Sequence, residues 1–213
     1  MKKTSLLLAL LTLPTLAFAY DNTWYKADFW SGEYPNGFAV VGKNVKLMGR
    51  AEPSLSAPAT ITCGLPQLAV FHVCNPKRPA DYLTYSRIVK LTMKNDFVLD
   101  QGDEKPVALK KGDTLEYLIY GAEGTFLVRI NGVEYTADQS LLENTEEVPE
   151  GSYQQDEWIQ VPCRKGGKAW LFFGDLVKSN AEGEAVYATG LSDWWKGFVE
   201  YGSVRDLTKK DLK

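Results

Sequence analysis

Asn131-Gly132 sits between two runs of strand-forming residues, and no other feature constrains the fold as tightly. A type I′ turn needs positive φ at both central positions, and its twist matches the strands it joins. Asn followed by Gly meets that demand. Thr125–Ile130 and Val133–Thr136 are therefore expected to pair. Thr114–Tyr120 precedes them across Gly121-Ala122-Glu123-Gly124, so residues 115–136 read as a three-stranded meander.

The remaining segments follow the same pattern. Ala39–Met48 alternates as a strand, and Pro53, Ser54, Ser56 and Pro58 mark a loop after it. Gln67–Cys74 is short, β-branched and aromatic, and it stops at Asn75-Pro76. Tyr82–Met93 reads as one or two strands, ending before a polar break at residues 100–104. Trp158–Val161 and Ala169–Phe173 flank Arg164-Lys165-Gly166-Gly167-Lys168 as a second hairpin. Ser192 caps a stretch with apolar residues at 194, 195, 198 and 201, which predicts a short C-terminal amphipathic helix. The fold class expected is all-β.

Residues 1–19 have the parts of a secretory signal: Lys2 and Lys3, an apolar run from Leu6 to Leu16, and Ala17-Phe18-Ala19 as a small-x-small cleavage pattern. The apolar run is shorter than the roughly 20 residues a membrane span needs, and Tyr20 stands where a lipoprotein would carry cysteine. Cleavage before Tyr20 places the chain in the periplasm, or outside the cell as the alternative. Losing two lysines takes the formal charge from -3 to -5. An acidic chain has no electrostatic footprint for nucleic acid or anionic lipid.

Residues 20–38 concentrate Trp24, Tyr25, Phe29, Trp30 and Tyr34. So many rings are read as an ordered wrap against the core, with a binding face as the sharper alternative. Cys63, Cys74 and Cys163 lie in a compartment that favours disulfides, and three cannot all pair internally. The Gly64-Leu65-Pro66 turn favours Cys63–Cys74, while pairing either with Cys163 is equally allowed.

Catalytic chemistry finds little support. His72 is the only histidine, and its place in an alternating run reads as structural. One histidine and three scattered cysteines lack zinc spacing, and Asp100, Asp103 and Glu104 do not follow a calcium-loop pattern. No phosphate loop or dinucleotide fingerprint is present, so no cofactor and no metal are expected. A two-carboxylate glycoside hydrolase needs only a suitable pair of acids, and Glu116, Glu123, Glu134, Asp138 and Asp175 are available.

Ala108–Tyr117, reading Ala-Leu-Lys-Lys-Gly-Asp-Thr-Leu-Glu-Tyr, followed by Thr125–Gly132, resembles the central strands of bacterial SH3-like (SH3b) domains. Asn44–Pro53 is similar to the first strand and the start of its long following loop. Trp158–Leu171 looks like a closing SH3b hairpin. The resemblance implies one elaborated or two packed small SH3-like barrels. On that division residues 39–140 form an SH3-like domain, 141–156 an acidic loop or linker, and 157–213 a second hairpin region with the helix. It also implies a non-catalytic envelope module whose aromatic groove holds peptidoglycan or a peptide. The candidate groove residues are Tyr117, Tyr120, Phe126, Tyr135, Trp158 and Trp170. The alternative is a periplasmic inhibitor or immunity-type protein that presents Glu143–Glu147 to a basic hydrolase.

Overall fold

A computed structural model describes residues 20–32, 37–103, 105–181, 186–189, 199–200 and 203–211. The expected signal segment, Tyr34 and most of the expected C-terminal helix lie outside them. In chain order the first strands are β1 (Trp24–Ala27), β2 (Gly37–Val40), β3 (Lys46–Gly49), β4 (Ile61–Gly64), β5 (Val70–Phe71) and β6 (Asp81–Arg87). Next come β7 (Val89–Thr92), β8 (Phe97–Leu99), β9 (Val107–Leu109), β10 (Thr114–Tyr120), β11 (Thr125–Ile130) and β12 (Val133–Asp138). Helix α1 (Gln139–Glu143), β13 (Gln155–Pro162), β14 (Lys168–Phe172), helix α2 (Phe173–Ala181) and three short strands, β15 (Val186–Thr189), β16 (Val199–Glu200) and β17 (Ser203–Val204), complete it. The chain is all-β with two short helices among the described residues. At the end of the stretch expected to be helical, Val199–Glu200 is a strand pairing with β17.

The meander forms as the Asn-Gly turn dictates. Asn131 and Gly132 have φ of 52° and 82°, and the register runs Ile130↔Val133, Val128↔Tyr135, Phe126↔Ala137. With β7 on the far side of β10, it makes a four-stranded sheet of order β12-β11-β10-β7. A register shift between Tyr117 and Ile119 bends β10. Asp138 caps α1 by accepting from the Ser140 N–H, and the chain returns to bridge Thr145 to Met93.

The second sheet has the order β1-β6-β13-β14. β6 and β13 are neighbours, so everything from β7 to α1 is inserted between two adjacent strands. The Arg87 N–H donates to the Gln154 carbonyl (2.8 Å) where the insertion leaves and returns. Tyr82–Met93 is thus two strands in two sheets, parted at Ile88. Ala39–Met48 is also two strands, because Asn44 at φ 55° turns the chain between β2 and β3. β2 pairs with β5 on one side and β15 on the other, and the end of β3 bridges to β14 at Arg50↔Trp170.

Packing groups these strands around two principal cores. One joins Phe38, Val40, Leu65, Phe71, Tyr82, Ile159, Val161, Leu171 and Leu176, so it draws on both sides of the insertion. The other lies wholly within the insertion and includes Leu91, Met93, Leu115, Phe126, Val128 and Leu141. A small seam of Ala27, Leu118 and Ile119, with Tyr25, Ile88 and Leu127, joins the two.

The disulfide links Cys63 to Cys163, not Cys63 to Cys74. The Gly64-Leu65-Pro66 segment makes no local hairpin: the Leu65 N–H donates to the Val45 carbonyl, carrying the chain away. The Arg164 N–H instead donates to the Gly64 carbonyl (2.7 Å), which lays residue 163 beside β4 with the cysteine Cα atoms 5.0 Å apart. Cys74 is a free, half-buried thiol packed against the small cluster of Ala39, Val70, Val204 and Leu207.

Candidate ligand-binding face

Alternation along β13 sends Ile159 and Val161 into the core and Asp156, Trp158 and Gln160 to the opposite, outer face. Register places the neighbours of that face. Tyr85 lies across from Asp156 and Asp81 across from Gln160, while Phe172 and Trp170 of β14 oppose Trp158 and Gln160. Trp24 of β1 stands beyond them, paired with Arg87. The outer face of one sheet therefore carries Trp24, Tyr85, Trp158, Phe172 and Trp170.

Tyr20 completes it from the chain arm before β1. Its ring stacks on Tyr85 with centroids 3.7 Å apart and planes within 10°, and Trp24 meets it edge-on at 5.1 Å. The Tyr20 hydroxyl donates to Asp156 Oδ2 (2.8 Å) and accepts from Trp158 Nε1 (3.0 Å). Trp158 is wholly buried under this cover, with Arg50 lying over its ring at 6.0 Å. Arg50 is fixed in turn by the backbone bridge to Trp170 and by donation to the Ala57 carbonyl. The other rings are half-buried and keep an exposed edge.

The polar groups on this face are ordered as well. With its amide turned to suit its neighbours, Gln160 donates to Asp81 Oδ2 (3.2 Å) and accepts from Trp170 Nε1 (2.9 Å). Lys168 pairs with Asp81 at 3.0 Å, and Arg87 lies over the Trp24 ring at 5.5 Å. On the opposite side of β13, Glu157 faces Thr84 and has no hydrogen-bond or ion-pair partner among the described residues. Burial, with the Asp156 charge adding, pushes its carboxyl up to about 7.

The six residues expected to line a groove divide between the two sheets. Trp158 and Trp170 share the outer face just described, although Trp158 is its buried centre rather than an open wall. Tyr117, Tyr120, Phe126 and Tyr135 share the inward face of the meander. Tyr117 and Phe126 are core residues there, and Tyr117 also packs edge-on against Tyr153. Tyr120 and Tyr135 are half-buried, and the Tyr120 hydroxyl accepts from the Gly124 N–H. Tyr20, Tyr85, Asp156 and Phe172 were not singled out from sequence. The signal for Asp156 was the alternation Asp156-x-Trp158-x-Gln160, read for its tryptophan alone.

Of the N-terminal aromatics, Trp30 packs edge-on against Tyr82 and Phe173 beside the larger core, while Phe29 is exposed. Trp24 and Tyr20 point the other way, onto the outer face. The acidic Glu143–Glu147 segment is tied down, with the Glu146 N–H donating to the Thr92 carbonyl. Of the candidate acids, Glu116 and Glu134 are both held by Arg129, at 2.8 and 3.1 Å. His72 is buried, and its Nδ1 accepts from the Cys74 backbone N–H. No cluster of metal-ligating side chains occurs among the described residues, and none of their helices is long and apolar enough to cross a membrane.

These features define a disulfide-linked β-sheet protein with a second β unit inserted between adjacent strands and an aromatic, polar-edged outer face. No family model, curated protein or solved structure matches the chain.

Proposed function

We propose that the protein is a non-catalytic binding module of the cell envelope, working in the periplasm and taking a cell-wall ligand on the outer face of the β1-β6-β13-β14 sheet. The observation that carries this reading is the row of half-buried rings flanked by hydrogen-bonding side chains on a face turned away from the core. Flat rings beside a carboxylate, an amide and an indole N–H suit ligands that are part apolar and part hydroxylated. The Cys63–Cys163 disulfide supports an oxidising compartment. An SH3-like character for the insertion is supported by its order: a first strand, a hairpin (β8–β9), a three-stranded meander, one helical turn and a return beside the first strand.

The test is sedimentation of the protein with purified peptidoglycan sacculi, alongside Trp24→Ala and Trp170→Ala variants. Both rings are half-buried, so the melting transition of each variant is measured alongside and binding is compared at a temperature where all three proteins are folded. Wild-type binding that the variants lose is the expected result. Absence of binding by the wild type and by a Tyr20→Ala variant that uncovers the face sinks the reading and favours the hydrolase inhibitor, which a stoichiometric pull-down would then identify.

A further inference from the structure

The Tyr20 ring lies on an aromatic platform with its one hydroxyl clipped between an acceptor, Asp156 Oδ2, and a donor, Trp158 Nε1. Among the described residues no hydrogen bond reaches the Tyr20 backbone, so the side chain alone holds the arm here. Below it the Asp21 carbonyl and carboxylate accept from Trp24 and Thr23, a turn that joins the arm to β1. Burial holds the Tyr20 phenol well above its ordinary value, which keeps the O–H a donor.

We propose that Tyr20 is a built-in plug, occupying the seat that a pyranose ring of a cell-wall glycan takes when the arm swings away. This rests on the binding-module reading and names its ligand and its gate. The plug itself displays the seat's chemistry: a flat six-membered ring over Tyr85 and an O–H that both donates and accepts. A pyranose offers a C–H face to the platform and hydroxyls to Asp156 and Trp158. Nearby charges are of both signs, Arg50, Arg87 and Lys26 against Glu52 and Asp156, which favours a neutral, hydroxyl-rich ring over an ion. Because the competent state is the unplugged one, the apparent affinity of the wild type is reduced by the unplugged fraction.

The experiment titrates wild type, Tyr20→Ala, Tyr20→Phe and the double variant Tyr20→Ala/Asp156→Ala with a β-1,4-linked N-acetylglucosamine tetramer. Binding is followed by tryptophan fluorescence, and each protein is also sedimented with sacculi. One stacked ring pair and two ordinary hydrogen bonds correspond to a gain on the order of 10- to 100-fold for Tyr20→Ala. Tyr20→Phe, which keeps the stack and cannot disturb the fold by leaving a hole, should gain less. The double variant should lose the gain. Equal tetramer affinity for wild type, Tyr20→Phe and Tyr20→Ala overturns the plug, and if those proteins still sediment with sacculi the binding-module reading survives. A gain that persists in the double variant overturns the Asp156–Trp158 seat. Failure of every protein to bind sacculi or tetramer overturns the reading and the plug together.

Discussion

Glu157→Gln should make stability less dependent on pH. The Glu157 side chain lies on the core side of β13, opposite Thr84, and no described donor or cation compensates its desolvation. Its carboxyl titrates near 7 in the folded chain against 4.5 as the ordinary value. Between those two values the folded state binds more protons than the unfolded one, so stability falls as pH rises through the window and levels off on either side. The span of about 2.5 pK units is worth about 3 kcal/mol, a ceiling because the side chain keeps some contact with water. Glutamine copies the neutral acid at every pH. The variant should therefore match the wild type near pH 4 and exceed it by as much as ~3 kcal/mol at pH 8. Urea unfolding of both proteins at pH 4, 5.5, 7 and 8, followed by tryptophan fluorescence, measures the difference directly. Any fixed gain or loss from the amide itself cancels in the pH trend. A variant-minus-wild-type difference that stays constant across the series would refute the reasoning.

Two other perturbations have definite expected outcomes. Alkylation of the unfolded, unreduced protein should modify Cys74 alone, and the double variant Cys63→Ala/Cys163→Ala should lose about 2–4 kcal/mol in urea unfolding. The separation of 100 residues puts the loss toward the upper end of that range. Gly49→Ala would put a Cβ 2.6 Å from that of Ala169 and 3.2 Å from the Trp170 carbonyl. Prising β3 off β14 should cost about 1–3 kcal/mol, read as a melting point lower by several degrees.

The parts of the fold legible in the sequence are those fixed by neighbours along the chain. Asn131-Gly132 and the alternation around it marked the meander and its β11–β12 turn, though not the register shift in β10, and the Arg164–Lys168 turn marked the β13–β14 hairpin. The pairing of Cys63 with Cys163 was not legible, because it depends on Gly64 meeting Arg164 across strands far apart in sequence. The split of residues 82–93 into two sheets was hidden for a related reason: alternation continues through Ile88 while the partners change. The candidate site shows the same limit. Alternation tells that Tyr117 and Phe126 share a face, and that Asp156, Trp158 and Gln160 share another. It does not tell which face meets a core, since rings serve equally well on either. Four residues expected to line a groove thus lie on the inward face of the insertion, while the polar partners that mark the outer face of β13 passed unremarked.

The insertion also makes the two units separable, with unequal consequences. Residues 88–153 leave and return through neighbouring positions of β6 and β13, where Arg87 bonds to Gln154. A two-residue Asn-Gly turn in their place would make β6 and β13 an ordinary hairpin. The remaining unit keeps its whole principal core and its disulfide, and it newly exposes little beyond Ala27 and Tyr25. The excised unit fares worse. Leu118 and Ile119 are both wholly buried in the joining seam, and exposing two such side chains costs about 3–6 kcal/mol. A domain of roughly 60 residues rarely holds more stability than that. The shortened protein should therefore unfold cooperatively on heating, with its near-ultraviolet aromatic signal intact, whereas residues 88–153 alone should lose that signal. Polar replacement of Leu118 and Ile119 would not restore the fold, but it should remove the tendency of the fragment to self-associate, measured by sedimentation velocity. A shortened protein that fails to fold would mean that the seam, rather than the larger core, organises the molecule.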